Sequence, residues 1–183
     1  MKEINIGTAQ FQTQSGDKEY NLSRIEALTA EAAGRGSRVV SFHECCITSY
    51  TFLKDLDEKE IHDLAEEVPT GPSMERLVRI AGKHDVAVLA GLVEKVGEKL
   101  YNTYVCVTGD GPVARARKLH PFISRFLSPG DEYAVFDLFG CRCGILICYD
   151  NNIIENVRAV TLMGAEIIFM PHVTGCTPSP MPG

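Results

Sequence analysis

The sequence predicts an α/β chain whose strands form mixed sheets instead of a purely parallel one. Two observations carry this. Apolar runs of strand length, such as residues 86–93 and 141–147, alternate with stretches whose apolar residues recur at helical spacing, such as Leu22, Ile25, Leu28 and Ala32. Turn signals at Gly97-Glu98-Lys99 and Gly109-Asp110-Gly111 join neighbouring runs directly, as hairpins do. Antiparallel pairs therefore sit beside the parallel pairs that helical crossovers make.

In order, residues 4–11 alternate as a first strand. Asp17 caps a helix carrying the Leu22, Ile25, Leu28 and Ala32 stripe, and Gly34 and Gly36 stop it. Val39, Val40, Ser41 and Phe42 form a short buried strand that runs into His43-Glu44-Cys45-Cys46. The acidic residues 54–67 read as a surface helix or loop. Thr70-Gly71-Pro72-Ser73 opens a helix with Met74, Leu77, Val78 and Ala81 inward. Strands follow at 86–93, at 100–108 (with Tyr101, Thr103, Val105 and Val107 on one face) and from Val113 to Lys118. A loop with Pro121 and Pro129 spans 120–131. Two more strands, 133–136 and 141–147, flank the turn at Leu138-Phe139-Gly140. Asn151 or Asn152 caps a helix carrying Ile154, Val157, Val160 and Leu162, stopped by Gly164. A last strand covers 166–170, and the Pro- and Gly-rich remainder predicts irregular structure.

A chain of 183 residues builds one sizeable core, so a single domain over 1–183 is expected. Its net charge of -6 argues against nucleic acid or anionic lipid as the main partner, since both need a basic surface. No run approaches the length of a membrane span, and the N-terminus reads as a strand instead of a secretory signal. Seven cysteines without an export signal fit reduced thiols in the cytoplasm.

Glu44, Lys118 and Cys148 share one property: each follows the C-terminal end of an apolar strand. Ligands bind in the crevice outside those ends in open α/β sheets. A thiol needs to lose its proton before it attacks. A carboxylate takes that proton, and a lysine favours the thiolate and the oxyanion formed on a carbonyl. Taken singly, each has an ordinary reading. The cysteine is a small buried hydrophobe, the glutamate is solvated, and Lys118 joins Arg115 and Arg117 on a basic face. A dyad of Cys148 with His172, after the last strand, is a more generic thiol-hydrolase alternative. His43 and His120 read as supporting or surface residues. Cys45-Cys46 and Cys141-x-Cys143 lack the paired spacing of a zinc site, and Gly109-Asp110-Gly111 lacks the Lys-Ser/Thr of a phosphate loop.

Several motifs occur together: Val-Val-Ser-Phe-His-Glu44 before Thr48-Ser49-Tyr50, Ala-Arg-Lys118-Leu-His-Pro, and Ile-Leu-Ile-Cys148-Tyr-Asp with Gly164-Ala-Glu-Ile-Ile-Phe-Met-Pro171 downstream. With Ile-Gly-Thr-Ala-Gln10-Phe and Glu98-Lys-Leu-Tyr-Asn102-Thr-Tyr, they resemble the nitrilase superfamily of carbon–nitrogen hydrolases along essentially the whole chain. The resemblance implies an αββα sandwich and a Glu-Lys-Cys triad. Glu44 would be general base and then acid, Lys118 would stabilise the tetrahedral intermediate, and Cys148 would form a covalent thioester or thioimidate. The backbone N–H of Tyr149 would complete the oxyanion site. Tyr50 and His172 are candidates for substrate contact. The resemblance implies neither metal nor organic cofactor. Its expected chemistry is hydrolysis of a small amide or carbamoyl compound. Nitrile hydrolysis, or a catalytically silent interaction subunit, is the alternative.

The chain departs from the pattern twice. Many members carry a second glutamate shortly after the lysine, whereas residues 119–129 contain no carboxylate and Asp131 and Glu132 lie further on. The chain also stops within an expected loop, 177–183, which predicts a second sheet left incomplete: either a truncated product, or a short variant whose core is finished by homo-oligomerisation.

Overall fold

A computed structural model describes residues 3–173. Two mixed sheets face each other. The first runs in the order β1 (Ile6–Thr8), β2 (Val39–Ser41), β3 (Ala87–Val96), β4 (Lys99–Thr108), β5 (Gly111–Arg117). β1, β2 and β3 are parallel, and β4 and β5 return antiparallel through the two predicted hairpins. The second holds β6 (Ala134–Leu138), β7 (Cys141–Ile145) and β8 (Ile167–Phe169), with β6 antiparallel and β8 parallel to β7.

Helices cover the outer faces. α1 (Lys18–Gly34) starts where the Asp17 carboxylate accepts from the Tyr20 N–H at 2.9 Å, as the sequence predicts. α2 (Glu58–Leu64) opens on a capping box made by Asp57 and Glu60. α3 (Pro72–His84) carries proline in its first turn, and Glu66 accepts from the Ser73 N–H at 2.8 Å. That glutamate lies in the segment expected at the surface, yet it is buried and also binds Lys18 at 2.7 Å. The positive end of α3 and the ammonium together stabilise its charge.

Strand alternation divides the core. Val88, Ala90 and Leu92 on β3, with Val105 and Val107 on β4, pack beneath Leu22, Ile25, Met74 and Leu77 of α1 and α3. Ala87, Leu89, Tyr104 and Cys106 face the other way, against Phe136, Cys141, Cys143 and Ile145 of the second sheet. Cys141 and Cys143 thus share one face, as alternation requires.

The first strand is shorter than expected, and so is the last. α4 (Ile154–Leu162) departs further. Neither asparagine caps it; Ile153 holds that position without a side-chain bond, because a 3-10 turn (Cys148–Asn152) takes up both asparagines. Val160 is buried, but Ile154 and Leu162 are 75% and 77% exposed. The stripe is apolar, but only its middle meets a sheet. The expectation for 177–183 lies outside the described residues.

Candidate active site

Three chain segments leave the sandwich at one end. β2 and β5 are not neighbours, since β3 and β4 lie between them, and β7 belongs to the facing sheet. β5 is antiparallel to β4 and β4 to β3, so β5 runs in the same sense as β2. The side chains that follow them therefore meet across the sandwich, not along one sheet edge.

After β2, Phe42 N–H still donates to Leu89 O at 2.9 Å, and the chain then turns sharply inward at Cys45, whose φ is 47°. Gly91 on β3 makes room for that turn: a Cβ there would lie 2.5 Å from the Cys45 nitrogen. The turn buries Glu44 to 1% exposure. After β5, Lys118 N–H donates to Asn102 O and Gly130 N–H to Lys118 O, both at 2.8 Å, which hold the lysine's backbone in line with the strand. After β7, Leu146 N–H donates to Phe169 O at 3.0 Å and Cys148 N–H to Pro171 O at 2.9 Å. Cys148 then takes a φ of 53°, a left-handed conformation unusual for a side chain larger than glycine, at the head of the 3-10 turn.

Lys118 Nζ donates to Glu44 Oε1 at 2.7 Å, with both side chains out of contact with solvent. Asn102 Nδ2 donates to the same oxygen at 2.7 Å, and Val173 N–H to Oε2 at 3.3 Å. Every carboxylate contact is charge-assisted or backbone-fixed, so the group is held in one orientation. Lys118 also reaches Tyr50 Oη at 3.4 Å and lies 4.8 Å from the centre of the Phe122 ring. It is not part of an exposed basic face. Arg117 instead binds the buried Glu94 at 2.7 Å, and Arg115 reaches it at 3.4 Å.

Burial pushes the Cys148 thiol above its ordinary range, and the Glu44 charge and hydrogen bond add to the rise; Lys118 and the Val173 N–H oppose it. The resting sulfur is therefore a protonated thiol facing a carboxylate. Burial and the Glu44 charge likewise hold the Tyr50 phenol protonated.

Cys148, Tyr149, Tyr50 and His172 all line one cavity of about 360 Å³. His172 Nδ1 donates to Met170 O at 2.7 Å and Nε2 accepts from Asn151 Nδ2 at 2.9 Å. Both ring nitrogens are thus engaged, which leaves neither to serve Cys148. Asp131 and Glu132 are exposed, and Glu132 pairs with Arg115 at 3.6 Å, so neither stands in for the missing second glutamate.

Sequence reasoning assigned no role to two residues here. Asn102 fixes Glu44; its signal is a polar side chain in an otherwise apolar strand. Asp150 is buried and accepts from Leu119 N–H, His120 N–H and His120 Nδ1 at 2.9, 2.9 and 3.0 Å. It ties the segment after Lys118 to the turn after Cys148. The His43 ring lies between two carbonyl acceptors, with Nε2 3.0 Å from Phe11 O and Nδ1 3.2 Å from Glu44 O, and braces the glutamate's backbone.

The sequence model described as carbon-nitrogen hydrolase matches residues 5–183. A nitrilase from Pyrococcus abyssi is 32% identical over 171 residues, covering 92% of this chain and 64% of that protein. An omega-amidase from Bos taurus is 32% identical over 193 residues, covering 98% of this chain and 67% of that protein. The chain thus spans about two thirds of the length of these relatives. Among solved structures, an amidase from Nesterenkonia sp. superposes with a TM-score of 0.77 at 20% identity, over 92% of this chain and 64% of that one. On the family match and these relatives, with the αββα architecture in agreement, this chain belongs to the carbon-nitrogen hydrolase family.

Proposed function

We propose that the chain is the catalytic part of a cysteine amidohydrolase that cleaves a non-peptide C–N bond in a small amide. The observation that carries this reading is the buried Glu44–Lys118 pair, 2.7 Å apart, beside a thiol presented at positive φ. Glu44 takes the Sγ proton as sulfur attacks the carbonyl carbon. The oxyanion of the tetrahedral intermediate rests on Lys118 Nζ and the Tyr149 backbone N–H. Collapse breaks the C–N bond, and Glu44 returns the proton to the departing amine or ammonia. Water, deprotonated by Glu44, then attacks the thioester; the acid leaves and Cys148 regains its proton. The same residues add to a nitrile carbon, where the first product is a thioimidate.

Relatives named omega-amidase and (R)-stereoselective amidase support amide chemistry, and one named nitrilase fits the nitrile alternative. Among the described residues Cys45, Cys46, Cys106, Cys143 and Cys148 are free thiols, which fits a reducing cytoplasm. The exposed Ile154, Leu162 and Met163 favour association of copies through α4. Light scattering that finds only monomer at micromolar concentration overturns that part of the reading.

Intact-mass spectrometry with amide and nitrile panels tests the chemistry. A transient acyl adduct, absent in Cys148→Ala, and release of ammonia are expected. A chain that forms no adduct and releases no ammonia on any member of the panels is a silent interaction subunit instead.

A further inference from the structure

The cavity in front of Cys148 is walled largely by Tyr50, Phe122, Ile123, Tyr149 and Val173. The Phe122 and Tyr149 rings meet edge to face at 5.9 Å. Lys118 is not among its lining residues and sits behind the Tyr50 and Phe122 rings. Its ammonium is bonded to Glu44 at 2.7 Å and lies 4.8 and 5.2 Å from the ring centres of Phe122 and Tyr50. A carboxylate and two aromatic faces hold the cation at the reacting centre, where it meets the oxyanion and not the far end of the acyl group.

Among the described residues no ammonium or guanidinium lines this cavity. Lys54 and Arg125 line a separate depression that shares only Ile123 with it, and Arg125 lies over the Phe126 ring at 4.9 Å. Both His172 ring nitrogens are already engaged, by Met170 O at 2.7 Å and Asn151 Nδ2 at 2.9 Å. The nearby fixed charge that is not a cation is the Glu44 carboxylate, which repels a second anion.

A carboxylate entering with the acyl half of a substrate would lose its water, find no partner and face Glu44. A hydrocarbon acyl group meets rings and branched side chains instead, and the volume of about 360 Å³ suits a small one. We propose that this cavity selects neutral, apolar acyl groups, such as short aliphatic or aryl carboxamides, and rejects amides that carry a carboxylate on the acyl side. This rests on the hydrolase reading above and narrows its substrate class.

Two arms test it on the same chain. In the first, ammonia release is compared for butyramide and for succinamate, which have the same chain length. The expected preference for butyramide in kcat/KM is about 100-fold, the scale set by leaving a polar group unpaired in a pocket. In the second, butyraldehyde and succinic semialdehyde compete with iodoacetamide for Cys148. An aldehyde reacts reversibly: Sγ bonds to the carbonyl carbon and the thiol proton passes to oxygen, so no co-reactant is needed. Butyraldehyde is expected to protect, with the carboxylated aldehyde about 100-fold weaker. If no ammonia is released from either amide while this protection pattern holds, the hydrolase reading fails and the selectivity stands. Equal or better turnover of succinamate, equal protection by the two aldehydes, or protection by neither overturns the proposal.

Discussion

Lys118 Nζ and Glu44 Oε1 lie 2.7 Å apart with no solvent contact on either side chain. The two act on Cys148 with opposite sign: the Glu44 charge raises the thiol's pKa and the Lys118 charge lowers it. Glu44→Gln should therefore make Cys148 react about tenfold faster with iodoacetamide at pH 8, and Lys118→Met about tenfold slower. Amide hydrolysis should fall in both, by about 100-fold or more, since one loses the proton acceptor and the other the oxyanion partner. Alkylation rates that move together would show that the pair does not bracket the thiol. Each variant also strands a buried charge, so a stability loss of about 3–5 kcal/mol is expected in thermal melts.

Alkaline pH should destabilise the fold through its buried thiols. Burial raises Cys46 and Cys106 to about 12 and Cys143 to about 11, from an ordinary value of 9.0. A thiol whose pKa is higher in the folded chain holds its proton there longer than in the unfolded chain. Its contribution is complete below pH 9 and is lost as pH rises towards the folded value. Each such thiol should remove about 1.4 kcal/mol per pH unit above 9. Denaturant midpoints between pH 8 and 10.5 check this, and Cys106→Ala should flatten the slope by about one thiol's share. A slope unchanged in that variant contradicts the assignment.

The legible parts of this chain were those where one period dominates. The β3 and β4 runs and the α1 stripe have their positions dictated by burial on a single face or on both, and Asp17 and Gly34 mark α1 locally. Glu44, Lys118 and Cys148 were legible as strand-end residues. Their convergence was legible only through the family resemblance, because it depends on β5 reversing twice after β3 and on a second sheet stacking over the first. The α4 cap failed because the positive-φ turn at Cys148 continues as a 3-10 turn through Asn152 and captures Asn151, which bonds to Cys148 O and His172. Glu66 fell within a segment read as surface, since nothing local shows that a helix N-terminus arrives from elsewhere to bury it.

Asp150 sets the distance between the lysine and the cysteine. Its carboxylate accepts the backbone N–H groups of Leu119 and His120, immediately after Lys118, and it sits two residues beyond Cys148. Asp150→Asn keeps the shape but turns an N–H donor towards one of those N–H groups. The loop should shift, and kcat should fall by about 100-fold with KM changed little, as expected when reacting groups are displaced by about 1 Å. The pH profile of Cys148 alkylation should also move up, since the retreating Lys118 no longer lowers the thiol. A purely structural role would lower stability and leave that profile in place.

Gly91 holds the turn that aims Glu44. A Cβ there would lie 2.5 Å from Cys45 N, 3.2 Å from Cys45 Cα and 3.1 Å from Tyr104 Cδ2. Backbone atoms of a fully buried residue cannot step aside, so Gly91→Ala must push the Cys45 turn outward. The cost should be about 1–3 kcal/mol, and Glu44 should move with it, because Cys45 is its neighbour and also bonds to Asn102. Gly34→Ala is the matched control: it ends α1 at ordinary φ with nothing within 4 Å of its added methyl, and should be neutral or stabilise by about 0.5–1 kcal/mol. Thermal melts of the pair, with Cys148 alkylation rates measured alongside, check the argument. Gly91→Ala should lower both the melting temperature and the sensitivity of the alkylation rate to the Glu44→Gln change. A melting temperature equal to that of the parent chain would mean that the turn does not depend on the missing side chain.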